Sequence, residues 1–227
     1  MRTSEAAAFW DDMYAMKPMT GDPQPNVRLV ERVSGLPAGT ALDLGCGLGG
    51  DALWLADKGW RVTAIDISRV AVERLSALAG RRGLGDLLTA QQHDLHRSFP
   101  PGEFDLVYAS YLHTPFGLDR ADVLRSAAHA LRPGGRLLVV DHGSSAPWSW
   151  NQDPDARFPS PQEVAARLDL DPMRWTIELA ESPHRIARGP NGITAEVIDH
   201  VLLLRRLAGP DGGHRPGAEN EADVPAA

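Results

Sequence analysis

Between Thr40 and Leu204, short apolar runs alternate with stretches whose apolar residues recur every three or four positions. The runs are Ala41-Leu42-Asp43-Leu44, Trp60 to Ile65, Leu87 to Gln91, Phe104 to Ala109, and Arg136 to Asp141 with Leu137 to Val140 as its apolar centre. Each has the length of a buried strand. Between them, Ala52/Leu55/Ala56, then Ala71/Leu75/Leu78, then Leu124/Ala127/Ala128/Leu131 each mark one face of a helix. Ser68 and Asp119 are N-cap residues for the second and third helices, and Arg132-Pro133-Gly134-Gly135 stops the third. This alternation predicts a mostly parallel α/β sheet with helices on both faces and right-handed crossovers.

The pattern differs at both ends. Ser4 caps a first helix carrying the pairs Phe9/Met13 and Trp10/Tyr14, and Pro18 ends it. Residues 19–26 read as a loop, Val27 to Val33 as a short helix, and Gly35-Leu36-Pro37 as its stop. Residues 1–36 are expected to form a helical cap, a lid if Trp10 or Tyr14 covers a bound ligand. After the fifth strand, residues 142–170 read as a polar and aromatic insertion followed by a helix, placed on the substrate side. That helix opens with the capping box Ser160-Pro161-Gln162-Glu163. Trp175, Ile177 and Leu179 alternate as a strand, Val201 to Leu204 form another, and Gly189-Pro190-Asn191-Gly192 is a turn between them, giving an antiparallel C-terminal hairpin. Residues 1–207 are expected to form one domain and 208–227 a disordered acidic tail.

Glycines at 45, 47, 49 and 50 sit where the first strand passes into a helix, so a ligand there would meet bare backbone and helix N–H groups. Ligands of parallel sheets bind beyond the carboxyl ends of the strands. The glycine stretch, Asp66, Asp94 and Ser110 all follow strand ends and so converge on one crevice.

Composition narrows the ligand. The net charge of −7, with no basic stripe, argues against nucleic acid as a partner and favours a small molecule. No apolar run approaches the roughly 18–20 residues of a membrane span, so no membrane partner is expected. Met1 to Ala8 lacks a signal-peptide layout, and a single cysteine permits no internal disulfide, so a cytoplasmic location is expected. No metal-ligand spacing is present, and the sequence leaves the oligomeric state open.

Gly45 to Gly50 satisfies both G-x-G-x-x-G and G-x-G-x-G, and Asp66 lies about 20 residues on, where a dinucleotide enzyme places its ribose-binding acid. Asp43 disfavours a pyrophosphate and suits the cationic amino-acid end of S-adenosylmethionine, directly or through the loop backbone. The chain is short for a separate dehydrogenase substrate domain, and Tyr14, Tyr108 and Tyr111 lack a lysine four residues on. Ala41 to Gly49 resembles the first motif of the class I S-adenosylmethionine-dependent methyltransferases. Phe104-Asp105-Leu106-Val107 and Leu131-Arg132-Pro133-Gly134-Gly135 resemble that family's fourth- and fifth-strand signatures.

The resemblance, over about residues 5 to 206, implies a Rossmann-like, doubly wound, seven-stranded sheet. It implies S-adenosyl-L-methionine as cofactor and S-adenosyl-L-homocysteine as product. The implied cofactor residues are Trp10, Tyr14, Asp43, Gly45, Cys46, Gly47, Gly49, Asp66, Ile67, Asp94, Leu95 and Ser110, with Asp66 on the ribose and Asp94-Leu95 at the adenine. A finer similarity to the thiopurine and thiol methyltransferase branch rests on Phe9-Trp10, Gly45-Cys46-Gly47, Asp51 to Ala56 and Gly59. It points to in-line transfer to a thiol or other soft nucleophile on a small molecule. His113 and His142, after strands four and five, are candidate bases. Tyr111, His113, His142 and Trp148, with Trp150, are candidates for the substrate wall. Two other readings fit the same residues: an NAD-dependent oxidoreductase, and a catalytically silent cofactor-binding partner protein.

Overall fold

A computed structural model describes residues 2–18, 21–149, 152–153 and 155–208. The first part of the chain builds β1 (Thr40–Leu44), β2 (Arg61–Asp66), β3 (Leu88–Gln92), β4 (Phe104–Ser110) and β5 (Leu131–His142), all parallel. Helices α1 (Arg2–Met16) and α2 (Val27–Val33) precede the sheet. Helices α3 (Gly50–Asp57), α4 (Arg69–Arg81) and α5 (Arg120–His129) connect its strands, and α6 (Pro161–Leu168) follows β5. The chain closes with β6 (Trp175–Glu181), β7 (His184–Arg188) and β8 (Thr194–Arg206).

The strands lie in the order β3-β2-β1-β4-β5-β8-β6, with β7 also paired to β8. Seven strands thus form the expected sheet, and β7 is an eighth that the sequence pattern does not announce. Successive strand residues point to opposite faces, so each central strand serves two cores. Ala41, Leu106, Tyr108 and Leu138 pack toward Leu53, Leu55 and Leu75, while Leu42, Val107, Leu137 and Val139 pack toward Leu124, Leu168 and Trp175. Burial on both faces explains why these strands read as unbroken apolar runs. Order reverses between β1 and β4, which opens a crevice beyond their C-terminal ends.

The caps follow the sequence at three helices. Ser68 accepts from Ala71 N, Asp119 accepts from Asp122 N, and Ser160 and Glu163 complete a reciprocal capping box. Helix α1 differs: it starts at Arg2, so Ser4 lies inside it rather than at its cap. Helix α5 ends at His129, and Leu131, expected on its apolar face, opens β5 instead. Arg132 to Gly135 belong to an irregular first half of β5, where the register with β4 shifts between Phe104 and Leu106. A side chain at 135 would strike the carbonyls of Arg132, Phe104 and Asp105 at 2.9–3.1 Å, so the strand passes there only as glycine.

The C-terminal hairpin also differs in detail. Its first arm breaks at Ser182-Pro183 into β6, paired with residues 201–206 of β8, and β7, paired with residues 194–198. Pro183 has no N–H for the ladder, while its carbonyl accepts from Asp199 N at 3.0 Å. Of the expected acidic tail, residues 209–227 lie outside the described residues, as does Trp150.

Candidate active site

The glycine turn after β1 is tied to the end of β2. Gly45 N and Cys46 N both donate to the Ile65 carbonyl at 2.9 Å. Asp66 then accepts from Gly47 N through one oxygen and from Ser68 N through the other, each at 2.9 Å. Gly49 is the N-cap of α3 at φ +82°, and a methyl there would lie 2.2 Å from Leu75 Cδ1, so the turn requires glycine twice over. Asp66 is buried with no cation beside it. Burial, helped by the charge of Asp11, outweighs the Ser68, Gly47 and Ile67 amides and pushes its carboxyl above the ordinary range. A carboxylate has about four lone-pair sites, so Asp66 keeps room for two further donors, which fits a ribose diol.

Helix α1 lies over this turn. Asp11 Oδ1 accepts from Ser68 Oγ at 2.6 Å and Val70 N at 3.0 Å, at the N-terminus of α4. Arg74 returns the contact by donating to the Tyr14, Ala15 and Lys17 carbonyls at the end of α1. Trp10 and Tyr14 stack at 6.0 Å, and the Tyr14 hydroxyl stands where a side chain on Gly47 would be, 2.8 Å from that position.

Of the sequence-predicted cofactor residues, Trp10, Tyr14, Gly45, Asp66, Ile67 and Leu95 line one crevice, which encloses about 90 Å³. Asp43, Cys46, Gly47, Gly49, Asp94 and Ser110 are not on its wall. Ser110 Oγ instead donates to Asp51 at 2.8 Å. Asp43 is buried behind the turn with Oδ2 unpartnered, and burial together with Asp51 holds its carboxyl well above the ordinary range. Asp94 Oδ1 accepts from His96 N at 3.0 Å. Its Oδ2 is buried without a hydrogen bond, although Arg97 Nε stands 3.4 Å away, so an amino group would find an acceptor there.

A second cavity of about 760 Å³ lies beside the crevice and shares Trp10, Tyr111 and His113 with it. Tyr111 follows β4 at φ +55°, a conformation costing a bulky residue roughly 1–3 kcal/mol and held only by over-determining contacts. Its amide donates to the Val140 carbonyl at 2.8 Å and its hydroxyl to Asp199 Oδ1 at 2.9 Å. Burial and Asp199 push that hydroxyl up to about 12, so it remains a donor. Asp199 itself is buried between Arg28 Nε at 3.0 Å and Arg185 Nε at 2.8 Å.

His142 stacks on Tyr111 at 4.2 Å, and His113 lies 5.8 Å from His142. Partial desolvation and the neighbouring His113 hold His142 below its ordinary value of 6.5. Asp141 receives Arg120 through both oxygens at 2.6 Å and His113 Nε2 at 3.4 Å. Burial raises Asp141, but His113 and Arg120 outweigh it and keep it ionised below the usual range. Trp148 lines the same cavity and packs over Gly189, where a side chain would lie 2.3 Å from its ring. Among the described residues no group of three His, Cys, Asp or Glu is placed to hold a metal ion.

Sequence reasoning missed Asp11, Arg28, Arg185 and Asp199. Only Asp199 left a signal, an acid within Val197-Ile198-Asp199-His200-Val201 at a strand position that is otherwise buried.

Residues 42–139 match the family described as "Methyltransferase domain". The chain is 33% identical over 138 residues to "Methyltransferase GfsG" of Streptomyces halstedii, covering 59% of this chain and 49% of that one. It is 37% identical over 141 residues to "27-O-demethylrifamycin SV methyltransferase" of Amycolatopsis mediterranei (strain S699), again covering 59% and 49%. The chain therefore spans about half the length of these curated relatives. A solved structure described as "Conversion of a Disulfide Bond into a Thioacetal Group during Echinomycin Biosynthesis" superposes with a TM-score of 0.67 at 25% identity, over 88% of this chain and 91% of the other. The sheet order and the glycine turn thus accompany a likeness to a methyltransferase domain over residues 42–139.

Proposed function

We propose that this protein transfers the methyl group of S-adenosylmethionine to a small acceptor held in the larger cavity. The observation that carries this reading is the wall of Trp10, Tyr111 and His113 common to both cavities. Across that wall an acceptor atom and a methyl group can be brought into line, and such alignment is worth up to about 7–11 kcal/mol in favourable cases. Asp66 accepts from the ribose hydroxyls, and Asp94 with Leu95 and Ile67 frames the adenine. Gly45, Cys46, Gly47 and Gly49 shape the turn under the amino-acid end, with Asp43 behind it and Ser110 steadying Asp51. Bound S-adenosylmethionine supplies a methyl on a sulfonium, already a good leaving group. Calorimetry with S-adenosylhomocysteine and with NADH tests the reading: S-adenosylhomocysteine should bind, and binding of NADH alone would favour the oxidoreductase instead.

Residues 142–170 contribute Trp148, Val164 and Arg167 to the acceptor cavity, in keeping with a substrate-side role. Residues 1–36 serve as the cap. The crevice volume of about 90 Å³ is a few water volumes. An adenosyl group therefore enters as the Tyr14 ring withdraws, and α1 re-closes over it. Hydrogen exchange over residues 5–16 should slow when S-adenosylhomocysteine saturates the protein, and unchanged exchange there would remove the lid.

His142 is the base in this reading, with His113 held by Asp141 beside it. Because its folded value is depressed, His142 is unprotonated at neutral pH. The rate should be flat there and fall only as the pH drops through that depressed value, below 6.5. His142→Gln should lower kcat on a hydroxyl acceptor about 100-fold and abolish the acid limb. A thiol or other soft nucleophile, partly ionised already, needs the base less. Steady-state kinetics on matched thiol and hydroxyl acceptors distinguishes the two, and equal kcat of wild type and variant on both would exclude His142 as base.

A further inference from the structure

The larger cavity runs against the charge of the chain that contains it. The protein carries a net charge of −7, yet Arg120, Arg157, Arg167, Arg185 and Arg188 all line this cavity, with Asp141 as its one carboxylate among the described residues. Asp141 is already neutralised by both 2.6 Å contacts from Arg120. Behind the wall, Asp199 pairs with both Arg185 and Arg28, and Glu31 gives Arg28 a second carboxylate, so the surplus lies with the other arginines. Glu163 meets Arg157 at 4.0 Å, the limit of an ion pair, and also lies within the field of Arg167, but it is largely exposed and off the cavity wall. Among the described residues, neither Arg167 nor Arg188 has a carboxylate within ion-pair distance. The Arg120 Nε is buried without a partner. None of the five arginines lines the crevice beside β1 and β2, so the excess positive charge belongs to the acceptor side alone.

Much of the remaining wall is apolar or aromatic, with Leu124, Trp148, Phe158, Val164 and Val197 prominent. Its polar part is Ser144, Ser145, Ser149, His113 and His142. A volume of about 760 Å³ lies within the range of drug-sized ligand sites. Guanidinium groups present paired N–H donors in a planar fork that matches a carboxylate or phosphate. We infer that the acceptor is an anionic small molecule, an apolar body bearing a carboxylate or phosphate that the Arg167 and Arg188 side of the cavity binds while its nucleophilic atom faces Tyr111 and His113. Calling this molecule the acceptor rests on the methyltransferase reading, whereas the anion preference of the cavity rests on its own charges.

The two parts are tested separately. Binding of 2-naphthoate, 2-naphthyl phosphate, neutral 2-naphthamide and 2-naphthylmethylammonium is measured by calorimetry, alone and with S-adenosylhomocysteine. One or both anions should bind at least about tenfold more tightly than the amide, and the gap should narrow as salt rises. The stronger of the two anions names the headgroup. Arg167 and Arg188 are both exposed, so R167Q/R188Q should fold normally and lose most of that gap, with single R188Q losing part of it. S-adenosylhomocysteine affinity should stay unchanged in both variants. Equal binding of the amide, tighter binding of the ammonium, or a gap that survives in R167Q/R188Q would each overturn the anion preference. Anion preference without any S-adenosylhomocysteine binding would overturn the methyltransferase reading and leave the anion site standing.

Discussion

Asp66→Ala is expected to weaken S-adenosylhomocysteine binding by about 100-fold, because two hydrogen bonds to a charged acceptor are lost at about 1.5–3 kcal/mol each, less the water that replaces them. The same substitution frees the Gly47 and Ser68 amides, which lose their 2.9 Å acceptor and with it the join between the glycine turn and β2. Asp66→Asn separates the two effects. It keeps one oxygen for an amide but removes the charge, so it should preserve the melting temperature better than alanine while still losing most of the affinity. Calorimetry and thermal unfolding on both variants check this. Wild-type affinity in Asp66→Ala would remove the carboxylate from the site.

Asp199→Ala should cost about 3–5 kcal/mol of stability, the usual range when one partner of a buried ion pair is deleted and its counter-charges remain. Arg185 would lose its carboxylate while Arg28 would keep only Glu31, and the Tyr111 hydroxyl would lose its acceptor. Tyr111 sits at positive φ and forms part of the wall between the cavities, so the damage should extend from stability to acceptor binding. Urea unfolding measures the first effect and acceptor KM the second. A change below 1 kcal/mol would mean that water readily replaces the carboxylate. Adding Arg185→Met to Asp199→Ala should recover part of the loss, since the cation left without its carboxylate is then removed, whereas Arg28 keeps Glu31.

Much of this architecture could be read from the sequence because the central strands are buried on both faces. Their apolar runs then need no alternation, and the glycine turn and strand-end acids fall at fixed places between them. Leu131 was misplaced because its position fits a helical spacing and a strand start equally well. Only the register shift opposite Phe104 decides for the strand. Strand β7 was missed because its residues, His184 to Arg188, bury only Ala187 and so carry no apolar signature. In the crevice, the placing of residues fixed by local sequence, such as Gly45, Asp66 and Leu95, could be read in advance. Contacts made across the fold could not: the Arg28–Asp199 pair joins positions 171 apart. The five cavity arginines are scattered over residues 120 to 188 among acids that face elsewhere, so the net charge conceals them.

Strand β8 is the last element of the sheet, yet it lies inside it, between β5 and β6. A growing chain exposes the apolar edge of β5, Leu137 to Val140, until residues 201–204 leave the ribosome to pair with it. An unpaired strand edge of this kind invites other chains. Maturation of this sheet is therefore timed by β8: the half that carries the glycine turn is translated first but gains its full set of strand partners only once residues 194–206 have been made.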